Sequence, residues 1–193
     1  MPTDAAPPVT RDDVYAREVP GFGLIRLRPV DPAADTGLLH RWVTEERARF
    51  WGMADATPER VREIYAHLDS LPTHHAYLML RDDAPVALFQ TYEPEHDPIG
   101  EYYDVRPGDF GIHLLIGPPA GPPVPGFTGT LLEEFLTFVL ADPARLRIVA
   151  EPDARNDKVL ARLRRAGFVP GPRVELPHKP AQLLFLDRAD RRR

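Results

Sequence analysis

The sequence predicts an α+β domain built on a mixed central sheet, and three observations carry the prediction. Stretches with period-two alternation and stretches with helical spacing are interleaved along the chain. A strand–turn–strand run in the first half implies an antiparallel hairpin, and a strand–loop–helix–strand run in the second half implies a crossover. No internal repeat and no second core-forming block is present, so the 193 residues are expected to form a single domain.

Residues 1–20 show no periodicity and read as a flexible N-terminal arm. The folded domain is expected over residues 21–188, followed by a basic tail over 189–193. Residues 23–30 alternate apolar and basic side chains, as a half-buried strand does, and end at a proline. Residues 31–50 open on Asp-Pro and place Leu38, Leu39, Trp42 and Val43 at helical spacing. Thr57 followed by Pro58 is an N-cap with proline in the first helical position, and Val61, Ile64, Tyr65 and Leu68 form one face of the second helix. Residues 76–81 and 86–92 are strands joined by the turn Asp82-Asp83-Ala84-Pro85. Residues 109–117 form a strongly apolar strand. The helix over 128–140 turns Leu131, Leu132, Phe135, Leu136 and Val139 inward. A short strand over 147–151, a helix over 156–166 closed by Gly167, and strands over 168–176 and 182–187 complete the domain.

Composition narrows the function. There is no cysteine, which excludes disulfides, zinc–thiolate sites and a thiol nucleophile. A net charge of −5 argues against nucleic acid as the main partner. No apolar run approaches the ~20 residues of a membrane span, and no leader-like segment opens the chain. The expectation is a cytoplasmic protein. The 23 prolines cluster at the N-terminus, at 118–125 and at 170–180, where they read as turns and stiff loops.

Two residues attract attention by their position. His113 lies inside an apolar strand, where it is either a satisfied core histidine or a base held by a rigid element. Glu151 ends a buried strand just before Pro152, either as a strand-end acceptor or as a partner to such a base. His74-His75 lacks ligands at metal spacing, and no metal is expected.

Four segments add a resemblance. They are Trp42 with Ala48-Arg49-Phe50-Trp51, Tyr102-Tyr103-Asp104, the strand Asp109-Phe110-Gly111-Ile112-His113, and Glu151-Pro152-Asp153-Ala154-Arg155-Asn156 leading into a helix and Ala166-Gly167-Phe168. Together they resemble the siderophore-biosynthesis branch of the GNAT superfamily of acyl-CoA-dependent N-acyltransferases. The resemblance runs from about residue 24 to 187. It implies a mainly antiparallel sheet flanked by helices, with a splay beside the central strand where pantetheine pairs with a free edge. It also implies transfer from acetyl-CoA or another acyl-CoA to an N-hydroxylated or primary amine of the hydroxylysine, hydroxyornithine or diamine type.

The resemblance assigns His113 as general base and Glu151 as its orienting or assisting acid. It assigns CoA contacts to Leu114, Leu115 and Ile116, to Gly126, Phe127, Thr128, Gly129 and Thr130, and to Asn156, whose other reading is an N-cap. Acceptor contacts fall to Trp51, Gln90, Tyr92, Tyr103 and Asp104, with Asp109 a further carboxylate for a cationic end. The phosphate-binding segment departs from the superfamily pattern. Gly126 fits the first glycine, but Thr128 stands where the second belongs, and no Arg or Lys lies between Arg106 and Arg145. Positive charge there must come from the helix dipole or from residues distant in sequence. The same resemblance implies a siderophore synthetase as a partner. The competing readings are an acyltransferase for another amine (an antibiotic, a polyamine or a protein) and a non-catalytic CoA-binding or interaction domain.

Overall fold

The computed structural model describes residues 11–119 and 121–192. Eight strands form one sheet: β1 (Tyr15–Val19), β2 (Gly23–Pro29), β3 (His74–Arg81), β4 (Ala84–Tyr92), β5 (Asp109–Ile116), β6 (Arg147–Ala150), β7 (Val169–Leu176) and β8 (Lys179–Asp187). Their spatial order is β1-β2-β3-β4-β5-β6-β8-β7. Every neighbouring pair is antiparallel except β5 with β6, which is parallel. The helices are α1 (Thr36–Val43), α2 (Pro58–Ser70), α3 (Phe127–Val139) and α4 (Asp157–Arg165). The expected α+β class with a mainly antiparallel sheet is the one observed.

Local chemistry sets the boundaries. Thr57 accepts the Arg60 backbone N–H at 3.2 Å and caps α2, with Pro58 following where no donor is needed. Asp82 and Asp83 both adopt positive φ in the β3–β4 hairpin, the backbone that two-residue turns require. The single helix expected over 31–50 is broken. Asp31 accepts the N–H groups of Ala33 and Ala34 and holds a turn, α1 starts only at Thr36, and a 3-10 segment occupies Glu46–Trp51.

The terminal expectations need revision. Residues 1–10 of the expected arm lie outside the described residues, but Tyr15–Val19 is the edge strand β1, paired with β2. Its side chains alternate poorly in burial, so no period-two signal marked it. At the other end, Asp190–Arg192 is a 3-10 turn, and Arg191 donates to the Glu133 carbonyl at 3.0 Å and to Thr137 at 2.8 Å. This part of the basic tail is docked on α3.

The two faces of the sheet differ. One packs on α3 and α4, with Phe89, Ile112 and Ile148 against Leu131, Leu132 and Phe135; the Phe89 and Phe135 rings stack at 3.9 Å. Burying each such side chain contributes about 1.5–3 kcal/mol. The other face carries two smaller clusters. Leu78, Leu88 and Leu115 pack under α1 and α2 with Leu39, Trp42 and Val61, while Tyr92, Ile99, Val149 and Leu183 form the second. Polar side chains of β4 and β5 lie between these clusters, and they build the site.

Candidate active site

The site begins where β5 and β6 part. The two strands pair only over Asp109–Gly111 and Arg147–Val149. β6 ends at Ala150, and Pro152 offers no N–H to continue the ladder, whereas β5 runs on beside β4 to Ile116. Among the described residues, one edge of β5 is therefore without a strand partner beyond the fork. Gly117 donates to Val86 of β4 at 2.7 Å, so by strand alternation the amide groups of Leu114 and Ile116 point away from β4, toward the free edge. The amide of Leu115 points toward β4, and its side chain is buried under α1 and α2. Of the three expected backbone contacts, the geometry exposes two. The carbonyl of Ile116 accepts a hydrogen bond from Arg47.

His113 and Glu151 stand on the same face, each two residues beyond the Gly111–Val149 pair. The Nε2 of His113 is bonded to Oε1 of Glu151. The Tyr92 hydroxyl donates to the other carboxylate oxygen, and Lys179 Nζ lies 3.8 Å from Oε1. Gln90, opposite His113 in the β4–β5 register, places Oε1 2.9 Å from Nδ1. The Trp51 ring meets the imidazole edge-on at 6.2 Å. The His113 side chain is 34% exposed and that of Glu151 6%, so the imidazole alone of the two is open to an incoming molecule.

Electrostatics follow from this arrangement. Burial pushes the Glu151 carboxyl up, but the charge and hydrogen bond of His113, with Lys179 and the Tyr92 hydroxyl, prevail and lower it to about 2. Glu151 is therefore an anion at neutral pH. Burial, followed by the Glu151 charge, pushes the Tyr92 phenol well above its ordinary value and keeps it a donor.

Tyr92 is not the acceptor-site wall that was expected. It is 1% exposed, and its ring crosses β5 to reach Glu151. Gly111 makes the crossing possible: a Cβ there would lie 2.0 Å from the Tyr92 ring. Gly111→Ala is accordingly expected to destabilise by roughly 1–3 kcal/mol through overpacking and to lower turnover as Tyr92 leaves Glu151. Adding Tyr92→Ala should restore part of the stability without restoring turnover; urea midpoints of the two variants check the first and a thiol-release assay the second.

Other expected residues fall outside this cluster. Tyr103 donates to Asp109 at 3.1 Å. Asp109 is itself buried in a two-bonded ion pair with Arg147, at 2.7 and 2.6 Å, and so does not face a cationic acceptor. Asp104 is exposed. Asn156 accepts the Val159 N–H at 3.4 Å and caps α4. Arg155 is bound to Asp153. His74 reaches Asp97 and stacks on Tyr92, and among the described residues no group of three or more His, Cys, Asp or Glu could hold a metal.

The segment expected to hold phosphate opens α3. Gly126 has φ 74° at the N-cap, and no side chain caps the helix. A Cβ on Gly129 would lie 3.3 Å from Nη1 of Arg162, so a guanidinium from α4 stands over the first turn of α3. This cation is distant in sequence and adjacent in space. Neither Arg162 nor Lys179 was legible beforehand, because nothing local marks either; Gly111 was not singled out, although a glycine inside a strand is the signal of a close approach that could have found it.

Among the described residues the sheet forks at its one parallel pair, with the N-terminus of α3 beyond the fork, which is the architecture the resemblance to acetyltransferases implies. Residues 31–176 match the model of the acetyltransferase (GNAT) domain, and the chain belongs to that family. It is 27% identical to an Escherichia coli N(6)-hydroxylysine O-acetyltransferase, over 94% of this chain and 58% of that protein. It is 30% identical to a Beauveria bassiana N(5)-hydroxyornithine:cis-anhydromevalonyl coenzyme A-N(5)-transacylase, over 95% of this chain and 41% of that protein. The chain thus spans only about half the length of these curated relatives. Among solved structures, an uncharacterised protein of Bacillus halodurans superposes with a TM-score of 0.83 at 26% identity, covering 94% of each chain. The aminoglycoside acetyltransferase AAC(6')-Ib, solved with paromomycin and acetyl-CoA, has the same fold, with a TM-score of 0.77 at 22% identity over 88% of this chain and 96% of that one. No helix among the described residues is long and apolar enough to cross a membrane.

Proposed function

We propose that this chain transfers an acyl group from acyl-CoA to the side-chain nitrogen of an N-hydroxylated or primary amine of the hydroxylysine, hydroxyornithine or diamine type, giving the hydroxamate or amide of a siderophore precursor. The observation that carries the reading is the His113–Glu151 couple at the fork of β5 and β6, on a face open at the imidazole and closed at the carboxylate. The names of the two curated relatives supply the acceptor class.

Each part of the chain has a task. The free edge of β5 offers the amides of Leu114 and Ile116 to an extended pantetheine arm, and the start of α3 with Arg162 offers N–H groups and a cation to its phosphates. Bound acyl-CoA supplies the activated thioester carbonyl. His113 takes the proton that the acceptor nitrogen loses as its N–C bond forms and the C–S bond breaks. Glu151 holds the ring in place through Nε2, and Tyr92 and Lys179 hold Glu151.

Free-thiol release, measured for acetyl-CoA and longer acyl-CoAs against lysine, ornithine, diamines and their N-hydroxy forms, tests the proposal. The N-hydroxy amines are expected to be the best acceptors, with hydroxamate accumulating; absence of release with every acceptor would favour a non-catalytic CoA-binding role. Glu151→Gln is expected to lower turnover at neutral pH. Removing the anion bonded to Nε2 is expected to move the acid limb of kcat/KM to lower pH. An unchanged height and midpoint would leave Glu151 as a strand-end acceptor only.

A further inference from the structure

We infer that the proton-accepting atom of His113 is Nδ1, and that Gln90 is a positioning residue that holds this nitrogen until the acceptor displaces it. The inference rests on the reading of His113 as the base and specifies how that base works. Both ring nitrogens are engaged by the protein: Nε2 by the Glu151 carboxylate and Nδ1 by the Gln90 amide at 2.9 Å. Glu151 is an anion and can only accept, so Nε2 carries a proton in either charge state of the ring. That leaves Nδ1 as the nitrogen with a lone pair in the neutral ring.

Gln90 is suited to both forms of the ring. With its carbonyl oxygen toward Nδ1, it accepts a hydrogen bond from the imidazolium N–H. With the amide turned over, its N–H donates to the neutral Nδ1. The β4–β5 register sets Gln90 directly opposite His113, and Nδ1 of His113 is the hydrogen-bond partner the structure gives the Gln90 side chain, so no second partner there opposes a turn of the amide. Glu151 lacks this freedom, since Tyr92 and Lys179 occupy it from the far side.

In the reaction, the acceptor nitrogen takes the place of the Gln90 amide. Its N–H bond breaks as Nδ1–H forms, its electron pair makes the bond to the acyl carbon, and the C–S pair leaves on sulfur as the thiolate. Gln90 then turns its oxygen to the new Nδ1–H while that proton passes to the thiolate or to solvent. The groups that bear on the ring's charge are Glu151 beyond β6, Lys179 of β8 and Tyr92 of β4, with His74 of β3 and its partner Asp97 behind Tyr92; Trp51 covers the ring edge without charge.

The test is a pH titration of the full chain labelled with 15N-histidine, with the His113 signals identified by their loss in His113→Ala. The neutral ring is expected to show Nε2 protonated and Nδ1 unprotonated. Gln90→Glu places an anion against Nδ1 and should raise the His113 midpoint by about one pH unit or more. Gln90→Met, which cannot accept from Nδ1–H, should lower it. The acid limb of kcat/KM, read with acetyl-CoA and N6-hydroxylysine, should shift in the same directions, and Gln90→Met should alter kcat more than KM. A neutral ring protonated at Nδ1, or midpoints unmoved in both variants, would overturn the inference. Failure of the wider reading looks different: His113→Ala would then turn over normally, whatever the titration shows.

Discussion

His113→Ala is expected to fold and to lose turnover by roughly 10²–10⁴-fold, the range for removal of a general base. The fold should survive because the ring lies between the two small clusters rather than inside either, with a third of its surface open. Glu151 keeps the Tyr92 hydroxyl and Lys179 when the imidazole goes, so no buried charge is left alone. The experiment compares initial rates of thiol release at saturating acetyl-CoA, with circular dichroism as the control for folding. Near-normal turnover in a folded variant would remove His113 from catalysis and leave the fork as a binding surface. The Glu151→Gln profile then separates the partners: loss of the imidazole removes the pH limb, whereas loss of the carboxylate moves it.

Arg147→Met should have the largest effect on stability. Asp109 and Arg147 sit side by side at the first register pair of β5 and β6, both buried, joined by two hydrogen bonds. Tyr103 and the Arg106 amide also donate to Asp109 Oδ2, and the guanidinium lies over the Phe185 ring at 4.5 Å. Removing the cation leaves a carboxylate in a low-dielectric site with only neutral donors, which costs about 3–5 kcal/mol. Urea unfolding should show that loss in midpoint. The paired change Asp109→Leu with Arg147→Met is expected to recover much of it, because no charge then remains to desolvate. If the single variant were as stable as the wild type, the pair would contribute nothing to the base of the fork. Because this pair anchors the parallel contact from which β5 and β6 diverge, the single variant should also weaken acyl-CoA binding more than its circular dichroism would suggest.

Much of the architecture was legible in the sequence, for local reasons. Thr57-Pro58 caps a helix wherever it sits, the apolar runs on either side of Asp82-Asp83 mark a hairpin (its turn is two residues, with β4 starting at Ala84, where 82–85 were expected), and the apolar periods of α3 and β5 announce their burial. His113 stood out because a polar residue in an apolar strand needs a partner, and Glu151 because it ends a buried strand before a proline. What only the tertiary structure decided is which of these meet. β1 is an edge strand whose pairing comes from β2 and not from its own pattern. Tyr103 and Asp109 were expected near an acceptor, but the register of β5 against β6 delivers them to Arg147 instead. Tyr92 reaches Glu151 across Gly111, Lys179 arrives from β8, and Arg162 covers the start of α3 from a helix more than 30 residues away. Secondary structure and burial are written in neighbouring residues, whereas the partners of a charge depend on strand order and register. Those are set by the packing of the whole sheet, and no local spacing encodes them.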